Sequence, residues 1–110
     1  MNKYNVLGTY YSNAKSFFDQ KQGFFFGEII FVAEDGNFEG TMEDSLGNSV
    51  LNGKMESKNL SFEKRYIDGV LKGQKVKYEL LRREEGVGYV GQWKNSDMSG
   101  DAVCALFRIL

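Results

Sequence analysis

Residues 35–48, DGNFEGTMEDSLGN, contain a short strand signal between two turn signals. In the middle of this stretch, Phe38, Gly40 and Met42 alternate with polar residues, which is the two-residue period of a half-buried β-strand. The flanking residues 35–37 and 45–48 contain Gly and Asn, which tolerate the positive φ angles of tight hairpin turns. The stretch therefore predicts a strand that the chain enters and leaves through hairpins.

The same rhythm recurs along the whole chain, which has 13 glycines and no proline. The candidate strands follow one another at roughly even spacing. They span residues 4–11, 24–33, 38–44, 49–57, 60–67, 75–83, 87–94 and 102–110. A helix fits only around residues 13–21, for one turn at most. Because a sheet of short strands avoids exposed edges by closing on itself, the sequence predicts an all-β fold: a single eight-stranded antiparallel up-and-down barrel over residues 1–110.

Composition and charge narrow the range of partners. The formal net charge is −1, which gives no general attraction to nucleic acid or to an anionic membrane surface. No apolar run resembles a signal peptide or reaches the roughly 18 residues of a membrane span. The single cysteine, Cys104, cannot form an internal disulfide. We therefore expect a cytoplasmic protein with no nucleic-acid or membrane partner, in which Cys104 is a buried packing residue.

Catalytic and metal-binding signals are weak. The chain has no histidine, which is the commonest general base and metal ligand. It has no nucleophile elbow, no phosphate-binding glycine loop and no cysteine pair. The spacing of Glu84, Glu85, Asp97 and Asp101 matches no calcium loop. We therefore expect a protein that is not an enzyme and that holds no cofactor or metal.

Two stretches resemble the avidin and streptavidin family. Residues 8–16, GTYYSNAKS, resemble its first strand and loop, Gly-x-Trp-x-Asn-x-Leu-x-Ser, and residues 36–42, GNFEGTM, resemble its third strand, Gly-x-Phe-x-Gly-Thr-Tyr. The resemblance implies a calycin-type barrel, similar to avidins and lipocalins, and assigns the biotin-ureido contacts to Ser12, Ser16 and Met42. We expect no biotin binding, because Ser12 stands where the family has Asn, Met42 stands where it has Tyr, and the chain has one tryptophan.

The resemblance also orients the first and third strands, with Tyr10 and Met42 among the residues that face the barrel interior. On the fifth and sixth strands, the alternation of apolar residues predicts that Lys64 and Arg82 face the interior. A charge that points into a barrel needs a partner, which we expect to be Glu28 or the anion of a ligand. Three interpretations stay open for such a charge: an anchor for the carboxylate of an amphiphilic ligand, an internal salt bridge, or a position in solvent.

The candidate ligand-binding residues are interior positions with an aromatic wall, a polar group or a family counterpart. They are Tyr10, Ser12, Met42, Lys64, Tyr66, Tyr89 and Trp93. The interior of an eight-stranded barrel is just wide enough to be filled by side chains or to hold one small ligand. Two hypotheses follow: a barrel that binds a small apolar or amphiphilic ligand, or a structural or protein-interaction domain whose barrel is filled by its own side chains.

The second strand is the most apolar segment, and its run of Phe24, Phe25 and Phe26 cannot all face one way. Because Ile29 and Phe31 share the parity of Phe25, we expect these three residues to form an apolar stripe on the outer face. Such a stripe marks either a subunit interface or burial under the connection at residues 13–22. A homo-oligomer formed through Phe25, Ile29 and Phe31 is the first of these alternatives.

Overall fold

The computed structural model describes residues 3–12, 22–31 and 34–109, and it shows an all-β protein. The strands are β1 (Lys3–Ser12), β2 (Gln22–Phe31), β3 (Asn37–Asp44), β4 (Gly47–Glu56), β5 (Asn59–Tyr66), β6 (Lys75–Arg82), β7 (Gly88–Lys94) and β8 (Ser99–Arg108). Each strand pairs antiparallel with the next, and β8 pairs with β1, so that the sheet closes into a barrel. The predicted up-and-down barrel is confirmed. The helical turn expected around residues 13–21 lies outside the described residues.

The closure between β1 and β8 runs along nearly the full length of both strands. Their register extends from Tyr4 opposite Arg108 to Ser12 opposite Gly100. Every described strand therefore has a paired neighbour on both sides. This closure removes the exposed strand edges to which another chain could add.

Glycines inside the strands mark places where neighbouring strands approach closely. A Cβ atom at Gly27 would collide with the backbone of Thr41, and one at Gly91 would collide with the backbone of Glu79. Only a residue without a side chain fits at this spacing, so these glycines allow the strong coiling that a small barrel needs. The contacts give them a role in curvature rather than in making room for a ligand.

Aromatic side chains fill the barrel interior. The rings of Phe62 and Tyr78 stack with their centroids 4.6 Å apart. Phe38 lies against Phe62 at 6.4 Å, and Phe25 meets Tyr78 edge-on at 5.8 Å. The gap that remains among the apolar side chains around Ile29 has no room for a water molecule. The described part of the barrel is therefore packed with its own side chains.

The orientation of β2 differs from the prediction. Phe25 and Ile29 are each only 1% exposed and belong to the interior, whereas Phe24 and Phe26 are 69% and 53% exposed. Phe31 packs against the core as well. The prediction of an outer stripe formed by Phe25, Ile29 and Phe31 is therefore wrong, and the outward-facing aromatic residues of β2 are Phe24 and Phe26.

The register between β1 and β2 explains this orientation. Phe25 pairs directly with Gly8, whose neighbours Val6 and Tyr10 share its inward parity. Residues that pair directly across two strands point to the same side of the sheet. The Phe25 ring fills the space that a side chain at Gly8 would occupy. The missing side chain on β1 therefore fixes which phenylalanine of β2 turns inward.

Candidate functional site

An interior polar cluster, defined by Asp44, Lys64, Tyr66 and Tyr78, lies at the end of the barrel where β3 and β5 finish. Asp44 is the last residue of β3 and Tyr66 is the last of β5. Lys64 and Tyr66 follow the inward parity predicted for β5, and Tyr78 faces the interior from β6. Asp44 continues the inward parity of residues 38, 40 and 42 on β3. The strands thus bring one acid, one base and two phenols together.

The hydrogen bonds of the cluster converge on one carboxylate. The Lys64 Nζ atom donates to Asp44 Oδ2 at 2.9 Å and to Tyr78 Oη at 3.2 Å. Tyr66 Oη donates to the same Asp44 Oδ2 at 2.6 Å, and the Leu46 backbone N–H donates to Asp44 Oδ1 at 2.8 Å. The side chains of Lys64 and Asp44 are 2% and 0% exposed. They form a buried ion pair whose charges are compensated inside the barrel.

Aromatic rings surround the Lys64 ammonium group. Its Nζ atom is 4.8 Å from the ring centroid of Tyr66, 5.3 Å from that of Tyr78 and 5.8 Å from that of Tyr10. Ring faces within about 6 Å attract a cation, most strongly where water is excluded. The protein itself therefore provides the ammonium group with a carboxylate, a phenol and ring faces in place of water.

Burial and the ion pair act on Lys64 in opposite directions. Burial lowers the pKa of Lys64, and the hydrogen bond and charge of Asp44 offset part of this by raising it. Burial also raises the pKa of both Tyr66 and Tyr78 well above the ordinary tyrosine value, and Asp44 raises both further. The two phenols therefore stay protonated, so Tyr66 keeps the proton that it donates to Asp44.

The prediction that Glu28 is the partner of the inward charge is wrong. Glu28 faces outward and pairs with Lys3 at 3.4 Å, because the inward parity of β2 falls on Phe25 and its partners. Arg82 is exposed as well, since it is the last residue of β6 and lies at the rim of the barrel. Of the three interpretations of Lys64, the internal salt bridge is therefore the one confirmed, with Asp44 as the partner.

Tyr10, Ser12 and Trp93 lie toward the same end of the barrel as the cluster. Tyr10 and Trp93 contact each other edge-on, with ring centroids 6.3 Å apart. Trp93 Nε1 donates to the backbone carbonyl of Tyr11 at 2.9 Å, so the indole donor is used inside the protein. Ser12 is buried at the end of β1. The structure therefore brings Tyr10, Lys64 and Tyr66 together, with Trp93 beside Tyr10.

Met42 and Tyr89 do not join this group. Met42 is buried in the apolar core, where Ser49 Oγ donates to its backbone carbonyl at 3.2 Å. Tyr89 lies toward the opposite end of the barrel, with its hydroxyl 3.8 Å from the Met55 sulfur. Ser16 lies outside the described residues.

Sequence reasoning missed Asp44 and Tyr78 as members of the cluster. The signal for Asp44 was the alternation of residues 38–42, which continues to residue 44. The signal for Tyr78 was its position between Val76 and Leu80, which are both buried. Their contact with Lys64 depends on how β3, β5 and β6 are arranged in the barrel, so a pattern within one strand cannot predict it.

A second candidate site is an exposed surface on the outer wall of β8, β1 and β2, here called the apolar patch. It consists of Leu7, Phe24, Phe26, Val103 and Phe107, whose exposed fractions run from 38% to 69%. The strand register makes the patch continuous, since Phe26 pairs directly with Leu7. Thr9 joins Phe24 on one side to Val103 on the other. Three adjacent strands thus present one apolar surface.

The opposite wall of the barrel is polar. Among the described residues of β3, β4 and β5, no large hydrophobic side chain is exposed. Their outer positions carry residues such as Glu39, Thr41 and Glu63. The exposed apolar surface continues from Val103 of the patch to Val90 on β7, which pairs with it, and from Val90 to Leu81 on β6. Among the described strands, the exposed large hydrophobic side chains therefore lie on β6, β7, β8, β1 and β2.

Reactive groups are scarce outside the interior polar cluster. Burial raises the pKa of the Cys104 thiol to about 12, which keeps it protonated and unreactive. In residues 3–12, 22–31 and 34–109, no three His, Cys, Asp or Glu side chains are grouped so that they could hold a metal ion. Over the same ranges, no helix is long and apolar enough to cross a membrane.

The architecture is consistent with the calycin-like class of small up-and-down barrels. No protein-family model matches the chain, and no curated protein matches it in sequence. The interior polar cluster and the apolar patch are therefore the two candidate functional sites among the described residues.

Proposed function

We propose that the protein is a non-enzymatic protein-interaction domain, with a barrel that is filled by its own side chains and a binding surface on the apolar patch. The observation that carries this proposal is the patch, in which five large hydrophobic side chains are exposed on three adjacent strands. Isolated exposed hydrophobic residues are ordinary, but a continuous group of them usually marks a binding surface.

The size of the patch supports this reading. Its five side chains together expose on the order of 550 Å² of apolar surface, near the upper end of about 300–600 Å² for the largest patch on a typical monomer. Three of the five are phenylalanines, and aromatic residues are enriched where proteins bind one another. The polar wall of β3, β4 and β5 serves as the contrast within the same barrel.

The interior supports the same proposal. Asp44 already compensates the charge of Lys64, and the described buried polar side-chain atoms all have hydrogen-bond partners. A ligand that placed a carboxylate on Lys64 would have to displace the Asp44 carboxylate and break its bond with Tyr66. Among the described residues, the interior therefore has no unpaired buried polar side-chain atom that requires a ligand.

A small amphiphilic ligand is the second candidate. The observation that favours it is the convergence of Tyr10, Lys64 and Tyr66 at one end of the barrel. An anionic head group could take the place of Asp44 there only if the turn after β3 moved. We do not extend the resemblance to the avidin family to biotin, because Met42 lies in the apolar core and Ser12 replaces the family's Asn.

Native mass spectrometry of protein purified without denaturation tests the choice between these functions. The proposal predicts a mass without any adduct, and no organic molecule after solvent extraction. Soaking with fatty acids or biotin should leave both the mass and the melting temperature unchanged. A retained small molecule would contradict the proposal and establish the ligand-binding barrel.

The apolar patch is tested separately by 8-anilinonaphthalene-1-sulfonate, a dye whose fluorescence reports exposed apolar surface. At a dilution at which the protein is monomeric, we expect the folded wild type to bind it, and the double variant Phe24→Gln, Phe26→Gln to lose most of that fluorescence. Val70→Gln is the control, because Val70 is 84% exposed but lies in the connection between β5 and β6. Equal fluorescence from wild type and the double variant would contradict a binding surface at the patch.

We also propose a cytoplasmic location, because the lone Cys104 is a buried packing residue rather than half of an internal disulfide. Cell fractionation with a thiol-trapping reagent tests this. Full-length protein recovered mainly from the extracellular medium would contradict it.

A further inference from the structure

We propose that the partner of the apolar patch is a second copy of this chain, packed face to face about a two-fold axis that runs parallel to β1. This inference rests on the proposed function, and it names the partner. A two-fold contact uses the same surface on both copies, so the patch must be complementary to itself. The register of β2, β1 and β8 provides that complementarity.

The two flanks of β1 differ in side-chain size. On the β2 side the outward residues are Phe24 and Phe26, and on the β8 side the residues in the same two rows are Val103 and Ala105. Rotation about β1 exchanges these flanks. It places Phe24 of one copy over the partner's Val103, and Phe26 over the partner's Ala105. In these two rows a phenylalanine ring thus meets a smaller side chain in both halves of the contact, which suits close packing. In the row of Asn5, the same rotation places Phe107 over the partner's Glu28.

The row of residues beyond Phe24, Thr9 and Val103 is complementary in hydrogen bonding. Gln22 on β2, Tyr11 on β1 and Asp101 on β8 form this row. The same rotation places the Gln22 side-chain amide over the partner's Asp101 carboxylate, and the reverse on the other side. One N–H of the Gln22 amide bonds to Tyr11 within its own chain, and the second can donate to the partner's carboxylate.

Charge and area fit a dimer. Lys3 lies on β1, so two copies bring their Lys3 side chains near the axis, where each ammonium group is balanced by the Glu28 carboxylate of its own chain at 3.4 Å. A standard interface buries about 800 Å² per partner, of which a homodimer makes about 65% apolar. The patch, with on the order of 550 Å² of exposed apolar surface, supplies about that amount.

The curvature of the barrel sets the limits of the contact. Each step from one strand to the next turns the wall by about 45° in an eight-stranded barrel, so a face-to-face contact covers about three strands. Leu81 on β6 and Val90 on β7 point away from a contact centred on β1. The proposed interface therefore consists of β8, β1 and β2, and it leaves out the exposed apolar residues of β6 and β7.

A dilution series by sedimentation velocity tests the inference. Wild type should sediment as a species of twice the 12.5 kDa chain mass at high concentration. Phe26→Asp should sediment as a monomer over the whole series, because it places a carboxylate on the partner's Ala105. Val70→Asp, outside the patch, should behave as wild type. Circular dichroism spectra and melting temperatures check that all three proteins are folded.

Cross-linking tests the position of the axis. Thr9 lies on β1, next to its own copy across the proposed axis, and Ser61 is an outward, half-buried position on β5 at the opposite side of the barrel. Thr9→Cys should give a covalent dimer in high yield with a short bis-maleimide, and Ser61→Cys should not. Cys104 is buried and contributes little background. Equal yields, or a Ser61→Cys dimer alone, would overturn the geometry.

The failure of this inference differs from the failure of the proposed function. A wild-type protein that stays monomeric at every concentration, binds the dye at the patch and has no adduct would overturn the second copy as partner. The proposed function would then stand. A retained small molecule in the native mass spectrum would overturn the proposed function itself.

Discussion

The interior polar cluster and the apolar patch lie on the two faces of the same barrel wall, and they differ in what they leave unsatisfied. Inside, Lys64 is balanced by Asp44, and Asp44 in turn accepts from Tyr66. Outside, Phe24 and Phe26 are more than half exposed. The interior charges are balanced within one chain, whereas the proposed function assigns the patch to contact with another molecule.

This difference separates stability from association. Changes in the cluster should destabilise the fold and leave association per folded molecule unaltered. Changes in the patch should abolish association and leave the fold nearly as stable as before.

The largest effect is expected from Asp44→Ala. It leaves the buried Lys64 ammonium without its counter-charge and removes the acceptor of Tyr66. Breaking a buried ion pair in this way costs about 3–5 kcal/mol of unfolding free energy. Chemical denaturation measures the loss. A change below about 1 kcal/mol would show that the pair contributes little to the fold.

The double variant Asp44→Leu, Lys64→Met should be much more stable than Asp44→Ala. Replacing both charges by apolar side chains of similar size removes the uncompensated charge, and such replacements are often neutral or stabilising. We expect at least about 2 kcal/mol of the single-variant loss to be recovered. A double-mutant cycle measures the coupling, and strictly additive losses would contradict a direct pair.

Alkaline pH should lower the free energy of unfolding through the tyrosines of the cluster. The folded pKa of Tyr66 and Tyr78 lies above the ordinary value of 10.0, so their contribution is present below pH 10 and is lost as pH rises above it. The loss is up to about 1.4 kcal/mol per pH unit for each tyrosine. The lowered pKa of Lys64 acts in the opposite sense, since it favours folding as pH rises toward 10.5.

Tyr66→Phe separates these contributions. It should flatten the fall in stability above pH 10, as measured by denaturation at a series of pH values. Tyr11→Phe, which removes an exposed hydroxyl on the outer wall, is the matched control and should leave the slope as in wild type. A slope that is unchanged in Tyr66→Phe would show that another group governs the alkaline transition.

The smallest effects on stability are expected on the outer wall. Glu28→Gln breaks the exposed pair with Lys3 and should change the unfolding free energy by less than about 1 kcal/mol. Phe24→Gln removes only exposed apolar surface and should change it by about 0.5 kcal/mol or less under conditions in which the protein is monomeric. A loss of several kcal/mol from either variant would mean that the outer wall stabilises the fold as the interior does.

The fold could be predicted because alternation and turn residues act locally. The run of residues 38–44 shows its inward face and its turns without reference to any other strand. The orientation of β2 could not be predicted in the same way, because residues 24–26 are all phenylalanine and give no parity. It depends on the pairing of Phe25 with Gly8, which is a property of the register between two strands.

The candidate site was predictable only in part for the same reason. The parity of β5 placed Lys64 inside, but the identity of its partner depends on which strand ends meet at one end of the barrel. Glu28 was the expected partner, but it faces outward. The observed partner is Asp44, which lies at the end of β3, close to the end of β5. The apolar patch likewise becomes visible only when closure brings β8 beside β1.

Native mass spectra of wild type and Phe26→Asp, recorded side by side after purification without denaturation, test the central claim most directly. The account predicts a dimer without adduct for wild type and a monomer without adduct for the variant, with both proteins folded. A small molecule retained by both proteins, with no difference in subunit number, would contradict it and move the function from the outer wall to the barrel interior.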